Sequence, residues 1–192
     1  MRAESRPILI VIAGPNGAGK TTFYESHLRE VGLPFINADR LAADAQVDAM
    51  TAALLAGDLR EAYLEEGESF CFETVFSDPV GDKIGFLKRA VEKGYDVRLY
   101  FIGVSSPSLS GERVAMRVMQ GGHDVPQEKI EERFPRTLKN LVEAIRVLPR
   151  VLVYDNTDME NPHRFIAEFR DGTLRVSGEG SIPQWAAGIL LP

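Results

Sequence analysis

The chain has 192 residues, 44% of them hydrophobic and 26% charged, which suits one α/β domain with a real core and is short for two. A formal net charge of −6, from 22 basic and 28 acidic residues, argues against holding duplex nucleic acid by general electrostatics. No apolar run approaches the roughly 20 residues that cross a bilayer, so no membrane role is expected.

In chain order, MRAESRPILIVIAG reads as a first strand, Ile8–Ala13, and not as a signal peptide, since Gly14 follows and no small-residue cleavage site does. Further strands are expected at Pro34–Asn37, Ser69–Val75, Val97–Val104 and Val151–Tyr154. Helix-period segments fill the gaps at Lys20–Val31, Met50–Glu66, Pro79–Lys93, Ser108–Gln120 and Gln127–Leu148. Pro135 should kink or split the last of these. Asp171-Gly172, inside FRDGTLRV, marks a C-terminal hairpin at about 165–178. The alternation predicts a five-stranded, mostly parallel sheet sandwiched by helices, in one domain covering 1–192. The single cysteine, Cys71, excludes an intramolecular disulfide and fits a reducing cytoplasm. Within its apolar run it reads as a buried, inert thiol.

GPNGAGKT, from Gly14 to Thr21, fills every fixed position of G-x-x-x-x-G-K-[ST] directly after a strand and before a helix. Gly14, Gly17 and Gly19 let the backbone bend around a phosphate, with Pro15, Asn16 and Ala18 completing the loop. Amide hydrogens at the helix N-terminus then converge on the phosphate oxygens. Lys20 reaches the β- and γ-phosphates, Thr21 offers its hydroxyl to Mg²⁺, and Thr22 closes the nucleotide site. No N-K-x-D guanine-reading motif is present. Phosphate transfer, motion driven by hydrolysis and switching all use such a loop; small size and the acids described next suit a small-molecule kinase.

Ligands of an open parallel sheet bind outside the carboxyl ends of the strands, and two strands end there on an acid. Asp39, in FINADR, is the candidate general base for an acceptor hydroxyl; its competing reading is the N-cap of the helix over Arg40–Ala43. Glu73, in CFETVFS, is the candidate for Mg²⁺ or for an acceptor hydroxyl, with Thr74 and Ser77 as neutral partners. Asp155, ending VLVYD, reads as structural or as the edge of the nucleotide site. Between about 108 and 136, Arg113 and Arg117 are spaced to leave one helix face, Gly121-Gly122 forms a hinge, and Arg133 and Arg136 follow on a second helix. This arrangement looks like a kinase lid that sets positive charge against a migrating phosphoryl group. His123 is read as structural.

Taken together, IAGPNGAGKTT, INADRLA, FETVFS, GGHDVP…I..RFPRTLKNL and VYDNT resemble the zeta-toxin-like P-loop kinases over about residues 8–157. The resemblance is strongest to the short stand-alone branch often described as predicted ABC-type ATPases. It implies a P-loop kinase α/β sandwich that uses ATP and Mg²⁺. The best understood zeta toxins phosphorylate UDP-N-acetylglucosamine under control of a separate small antitoxin, so a nucleotide-sugar acceptor and an antitoxin-type partner are implied here. By position, Lys20 and Thr21 match the phosphate loop, Asp39 the acceptor-side base, Glu73 the acid near the sugar nucleotide, and Arg117 and Arg133 the lid arginines. Arg113 and Arg136 are their neighbours, the alternates for the lid role and candidate acceptor contacts. Typical toxins are longer, with substrate-contacting elements not found in this chain. The rival reading is a nucleotide-dependent ATPase or binding module whose lid conformation is read by a protein partner.

Overall fold

The first strand decides the architecture because both of its faces are apolar. In the computed structural model, which describes residues 6–122 and 124–190, β1 (Ile8–Ala13) sends Leu9, Val11 and Ala13 into one core and Ile10 and Ile12 into another. A strand buried on both sides belongs in the middle of a parallel sheet with helices above and below. Among the described residues the sheet has seven strands in the order β2-β3-β1-β4-β5-β6-β7. Here β2 is Phe35–Ile36, β3 Phe70–Thr74, β4 Asp96–Gly103, β5 Arg150–Asp155, β6 Arg164–Arg170 and β7 Thr173–Ser177. The first five run parallel, whereas β6 and β7 are antiparallel additions.

The expected count of five is therefore corrected to seven. The turn at Asp171-Gly172 (φ 48 and 73) forms as expected. Its hairpin is not an appendage, however, because β6 pairs along β5 from Arg150↔Arg170 to Asp155↔Arg164. That pairing covers an otherwise open edge of β5 and buries Ile166, Ala167 and Phe169.

The helices are α1 (Lys20–Phe23), α2 (Ala38–Ala45), α3 (Ala49–Glu66), α4 (Asp82–Glu92), α5 (Pro107–Met119), α6 (Gln127–Val147) and α7 (Gln184–Leu190). The helical path expected over Lys20–Val31 is present but changes pitch. After α1 it widens to a π turn at Tyr24–Leu28 and tightens to a 3₁₀ turn at Arg29–Val31. The wide turn carries Tyr24 and Leu28 into the second core beside Phe23 of α1. Tyr24 stacks on Phe35 with centroids 3.7 Å apart, and the Arg40 guanidinium lies 4.9 Å above the Phe35 ring. This stack ties the start of α2 to the helix that follows the glycine-rich loop.

Two further differences have local causes. Pro135 does not split α6, which runs unbroken to Val147. The proline is exposed, as is Glu131, whose carbonyl loses its partner and can be hydrated. The helix expected over Arg40–Ala43 forms as α2 but starts earlier, at Ala38, because its cap is Asn37, inside the stretch expected to be strand; α7 has no counterpart among the expected elements. Among the described residues, no helix is long and apolar enough to cross a membrane.

Candidate active site

The turn after β1 is set by close backbone packing. A Cβ on Gly14 (φ 149) would lie 2.1 Å from Ile102 O of the neighbouring strand β4, so only glycine lets the chain leave β1 on this path. Gly19 (φ 82) caps α1, and there a Cβ would meet Asn156 Nδ2 at 2.5 Å. That same amide donates to Ala18 O at 2.9 Å, clasping the loop from behind. The first amides of α1 lack intrahelical acceptors by construction and point toward the carboxyl end of the sheet.

Lys20 opens α1 and is buried, its ammonium donating to Pro15 O at 3.0 Å. Burial lowers its pKa; the nearby Glu73 carboxylate opposes that shift, Arg117 adds to it and Asp39 opposes it. Lysine, two acids and an arginine from four separate elements thus share one electrostatic neighbourhood. The register explains part of this, since Ile12↔Glu73 and Ala13↔Thr74 bring the end of β3 alongside the start of the loop. The Thr21 hydroxyl donates to Glu73 Oε2 at 2.8 Å.

These side chains line one open cleft of about 560 Å³ at the carboxyl ends of the strands. Of the residues proposed from the sequence, Asn16, Gly17, Lys20, Asp39, Glu73, Thr74, Ser77, Arg117, Arg133 and Arg136 all reach it. Asp39 is exposed in the first turn of α2, but it is not the cap; the buried Asn37 accepts the Arg40 amide at 3.0 Å. The capping alternative therefore belongs to Asn37, and the Asp39 carboxylate faces the cleft. Arg136 pairs with Glu132 one turn earlier.

Arg113 is the exception among the lid arginines. Its guanidinium donates to Asn156 O at 2.6 Å and Thr157 O at 3.1 Å in the segment after β5, and it does not line the cleft. Its i, i+4 relation to Arg117 holds, but α5 packs against the glycine-rich loop near residue 113 (a Cβ on Gly17 would lie 3.2 Å from Arg113 Cβ), which turns the longer reach toward β5. Gly121 (φ 85) ends α5, and the Arg117 stem lies against Gly122. His123 falls outside the described residues. Asp155 is occupied by Thr157 Oγ1 at 2.6 Å, Trp185 Nε1 at 2.9 Å and Arg164 at 3.6 Å.

The far wall of the cleft is the segment after β3. Phe76 adopts φ 61 with its side chain buried, an uncommon conformation for an aromatic residue. It is over-determined by its neighbours. Thr74 Oγ1 accepts the Phe76 amide at 3.1 Å, Thr137 donates to Val75 O at 2.9 Å, and Asn140 Nδ2 donates to Phe76 O and Asp78 O, each at 3.0 Å. The Thr74 hydroxyl hydrogen stays available to a ligand.

Sequence reasoning missed Arg60, Lys83 and Asp78, which line the same wall. Arg60 carried a readable signal, because it falls four residues apart from Ala56 and Leu64 on the buried stripe of α3. The cleft suits a phosphorylated nucleotide and its counter-ion. Asn16 Oδ1 and Asp78 Oδ1 are buried without partners and line it, so polar groups there call for a polar ligand. Among the described residues no cluster of three His, Cys, Asp or Glu side chains could hold a metal alone. The Thr21–Glu73 pair fits a hard cation that keeps most of its ligands as water and phosphate oxygens.

Among solved structures, the chain resembles AvrRxo1-ORF1:ORF2 with ATP (TM-score 0.69, 17% identity, 90% of this chain and 61% of that one). It is also similar to a candidate kinase from Chloroflexus aurantiacus (TM-score 0.56, 20% identity, 81% and 91%). A third likeness is to the PezAT toxin–antitoxin system of Streptococcus pneumoniae (TM-score 0.58, 17% identity, 85% and 72%). At such identities the likeness is one of fold, a P-loop kinase-like α/β sheet. The chain thus spans about three-fifths of the first of these relatives. A search of curated proteins finds no match. The family model for zeta toxin matches residues 36–164, a span that holds Asp39, Glu73, Arg117, Arg133 and Arg136 and begins after the glycine-rich loop. With two-thirds of its length matched, the chain belongs to the zeta toxin family.

Proposed function

We propose that the protein is an ATP- and Mg²⁺-dependent phosphotransferase that phosphorylates a hydroxyl of a small molecule, with residues 1–192 forming one kinase domain and 108–136 its lid. The observation that carries this reading is the convergence of Lys20, Asp39, Glu73, Arg117 and Arg133 on one cleft beside the glycine-rich loop. ATP is the donor substrate, and the backbone from Gly14 to Thr22 holds its phosphates. Thr21 and Glu73 are the residues that would hold Mg²⁺, which when bound offsets charge on the β- and γ-phosphates.

Transfer forms a bond from the acceptor oxygen to the γ-phosphorus and breaks the bond from that phosphorus to the β–γ bridging oxygen. Asp39 accepts the hydroxyl proton, and the charge left on the released diphosphate is met by Lys20. Arg117 and Arg133, on either side of the glycine pair, approach the equatorial oxygens as the lid closes and excludes water. Family membership makes a UDP-N-acetylamino sugar the first acceptor to test and a small antitoxin-type protein the first partner to seek by co-purification.

Incubation with γ-labelled ATP and a small-molecule extract tests the reading. A labelled, non-protein product is expected with the wild-type chain and none with Lys20→Met. If ATP binds and no acceptor is labelled, the kinase reading fails in favour of a nucleotide-dependent binding module.

A further inference from the structure

Arg60, the single cation of α3, takes no part in the ion pairs that this helix makes with Arg89 and Lys93. On α3, Glu61 pairs with Arg89 at 2.6 Å and Glu65 with Lys93 at 2.8 Å, both on the solvent side. Arg60 faces inward, half-buried, with its guanidinium carbon 5.1 Å from the centroid of the fully buried Phe72 ring. Among the described residues no carboxylate oxygen lies within 4.0 Å of it, and it makes no hydrogen bond. The aromatic face fixes the plane of the guanidinium and supports its charge but leaves its five donors unspent. Taking a guanidinium partly out of water without an anionic partner is costly. The retained charge points to an anion supplied from outside.

Lys83, in the first turn of α4, also lines the cleft, and its ammonium makes no ion pair among the described residues. Both cations border a second groove, of about 710 Å³, between α3 and α4. They therefore stand where the cleft meets this groove. Asp78 lines the same cleft beside Lys83. Its Oδ2 accepts the Lys83 amide at 3.4 Å, while Oδ1 is buried and without a partner, suited to accept from a hydroxyl. The wall thus offers an acceptor for a hydroxyl group and two cationic donors for an anion.

We propose that Arg60 and Lys83 form an anion subsite that takes a phosphate or carboxylate of the acceptor, so that the substrate class is a hydroxylated small molecule with an anionic end. This rests on the phosphotransferase reading above. A guanidinium fork and an ammonium together suit either a phosphate or a carboxylate.

The probe is inorganic phosphate, titrated calorimetrically into the full chain already saturated with a non-hydrolysable ATP analogue and Mg²⁺. One further phosphate is expected to bind, at least tenfold more weakly in Arg60→Gln and in Lys83→Gln, with analogue affinity unchanged in both. Acetate in parallel separates the sources: tighter phosphate binding assigns a phosphorylated acceptor, tighter acetate binding a carboxylic one. Phosphate binding that survives both substitutions, or is absent from the analogue-loaded wild type, overturns the subsite. Should the analogue itself fail to bind, the phosphotransferase reading falls. The subsite is then read in Lys20→Met, where phosphate binding lost on adding Arg60→Gln still supports it and binding retained overturns it. Lys83→Gln serves as the second variant where Arg60→Gln lowers stability.

Discussion

Replacing Asn140 by alanine removes one side-chain amide that donates to two carbonyls, Phe76 O and Asp78 O, each at 3.0 Å. The first is buried and the second partly so, and neither gains a new donor from a methyl group. A buried acceptor left unsatisfied costs about 1–3 kcal/mol, less where water can reach it, so the pair comes to about 2–4 kcal/mol. For a chain of this length each kcal/mol lowers Tm by about 2–4 °C, which places the expected fall at about 5–15 °C. The loss also has a functional reading. These carbonyls hold Phe76 at φ 61, a conformation that the segment abandons when its anchors go. Because that segment is the acceptor wall and the glycine-rich loop rests on β1 and α1, phosphotransfer should fall at least tenfold while affinity for an ATP analogue stays within about twofold. Thermal unfolding followed by circular dichroism, calorimetry with the analogue, and labelled-phosphate transfer read the three quantities. An unchanged Tm with unchanged transfer would refute the claim that α6 holds the wall in place.

Cys71 is buried, and burial pushes its thiol pKa far above the usual range. A disulfide-exchange reagent at pH 8 should therefore label the native chain negligibly and label it fully in denaturant. His163, beside the glycine-rich loop, has its pKa lowered by burial and then by His27. The native state then binds fewer protons than the unfolded one, so this group's stability contribution is full above the unfolded value of about 6.5 and is lost as pH falls through the native one. Denaturant titrations should show a shallower decline from pH 7 to 5 in His163→Asn, a residue that tolerates the positive φ of 52 found there. Arg133→Ala and Arg117→Ala should each lower kcat of phosphotransfer by about 10- to 1000-fold with little change in ATP analogue affinity, as measured by initial rates and calorimetry.

Some features are written locally, and those were readable. ILIVIA followed by GPNGAGKT marks a doubly buried strand and its loop because side-chain period and glycine placement are local properties. Asp171-Gly172 likewise announces its turn. Which strand the hairpin joins depends on pairing β6 with β5 across the edge of the sheet, and no local pattern encodes that, hence five strands expected and seven found. Arg113 and Arg117 share a helix face as their spacing requires, yet one binds the segment after β5 and the other lines the cleft, since packing of α5 on Gly17 determines reach. Asn37 reads as strand in the sequence, because a cap is recognisable only once the helix start is known. Arg60 is a different case: its phase with Ala56 and Leu64 was visible, but a weakly amphipathic helix gave no reason to suspect a charge on the inner face.

The central claim is that Asp39 acts on an acceptor hydroxyl across the cleft from Lys20. Its direct test is the steady-state rate of phosphoryl transfer to the labelled product in Asp39→Asn, alongside binding of the ATP analogue. The expected result is a kcat lower by about 10²- to 10⁴-fold with analogue affinity within about twofold of wild type. Wild-type turnover in Asp39→Asn, with Lys20→Met inactive, would contradict it and leave Asp39 as an exposed residue in the first turn of α2.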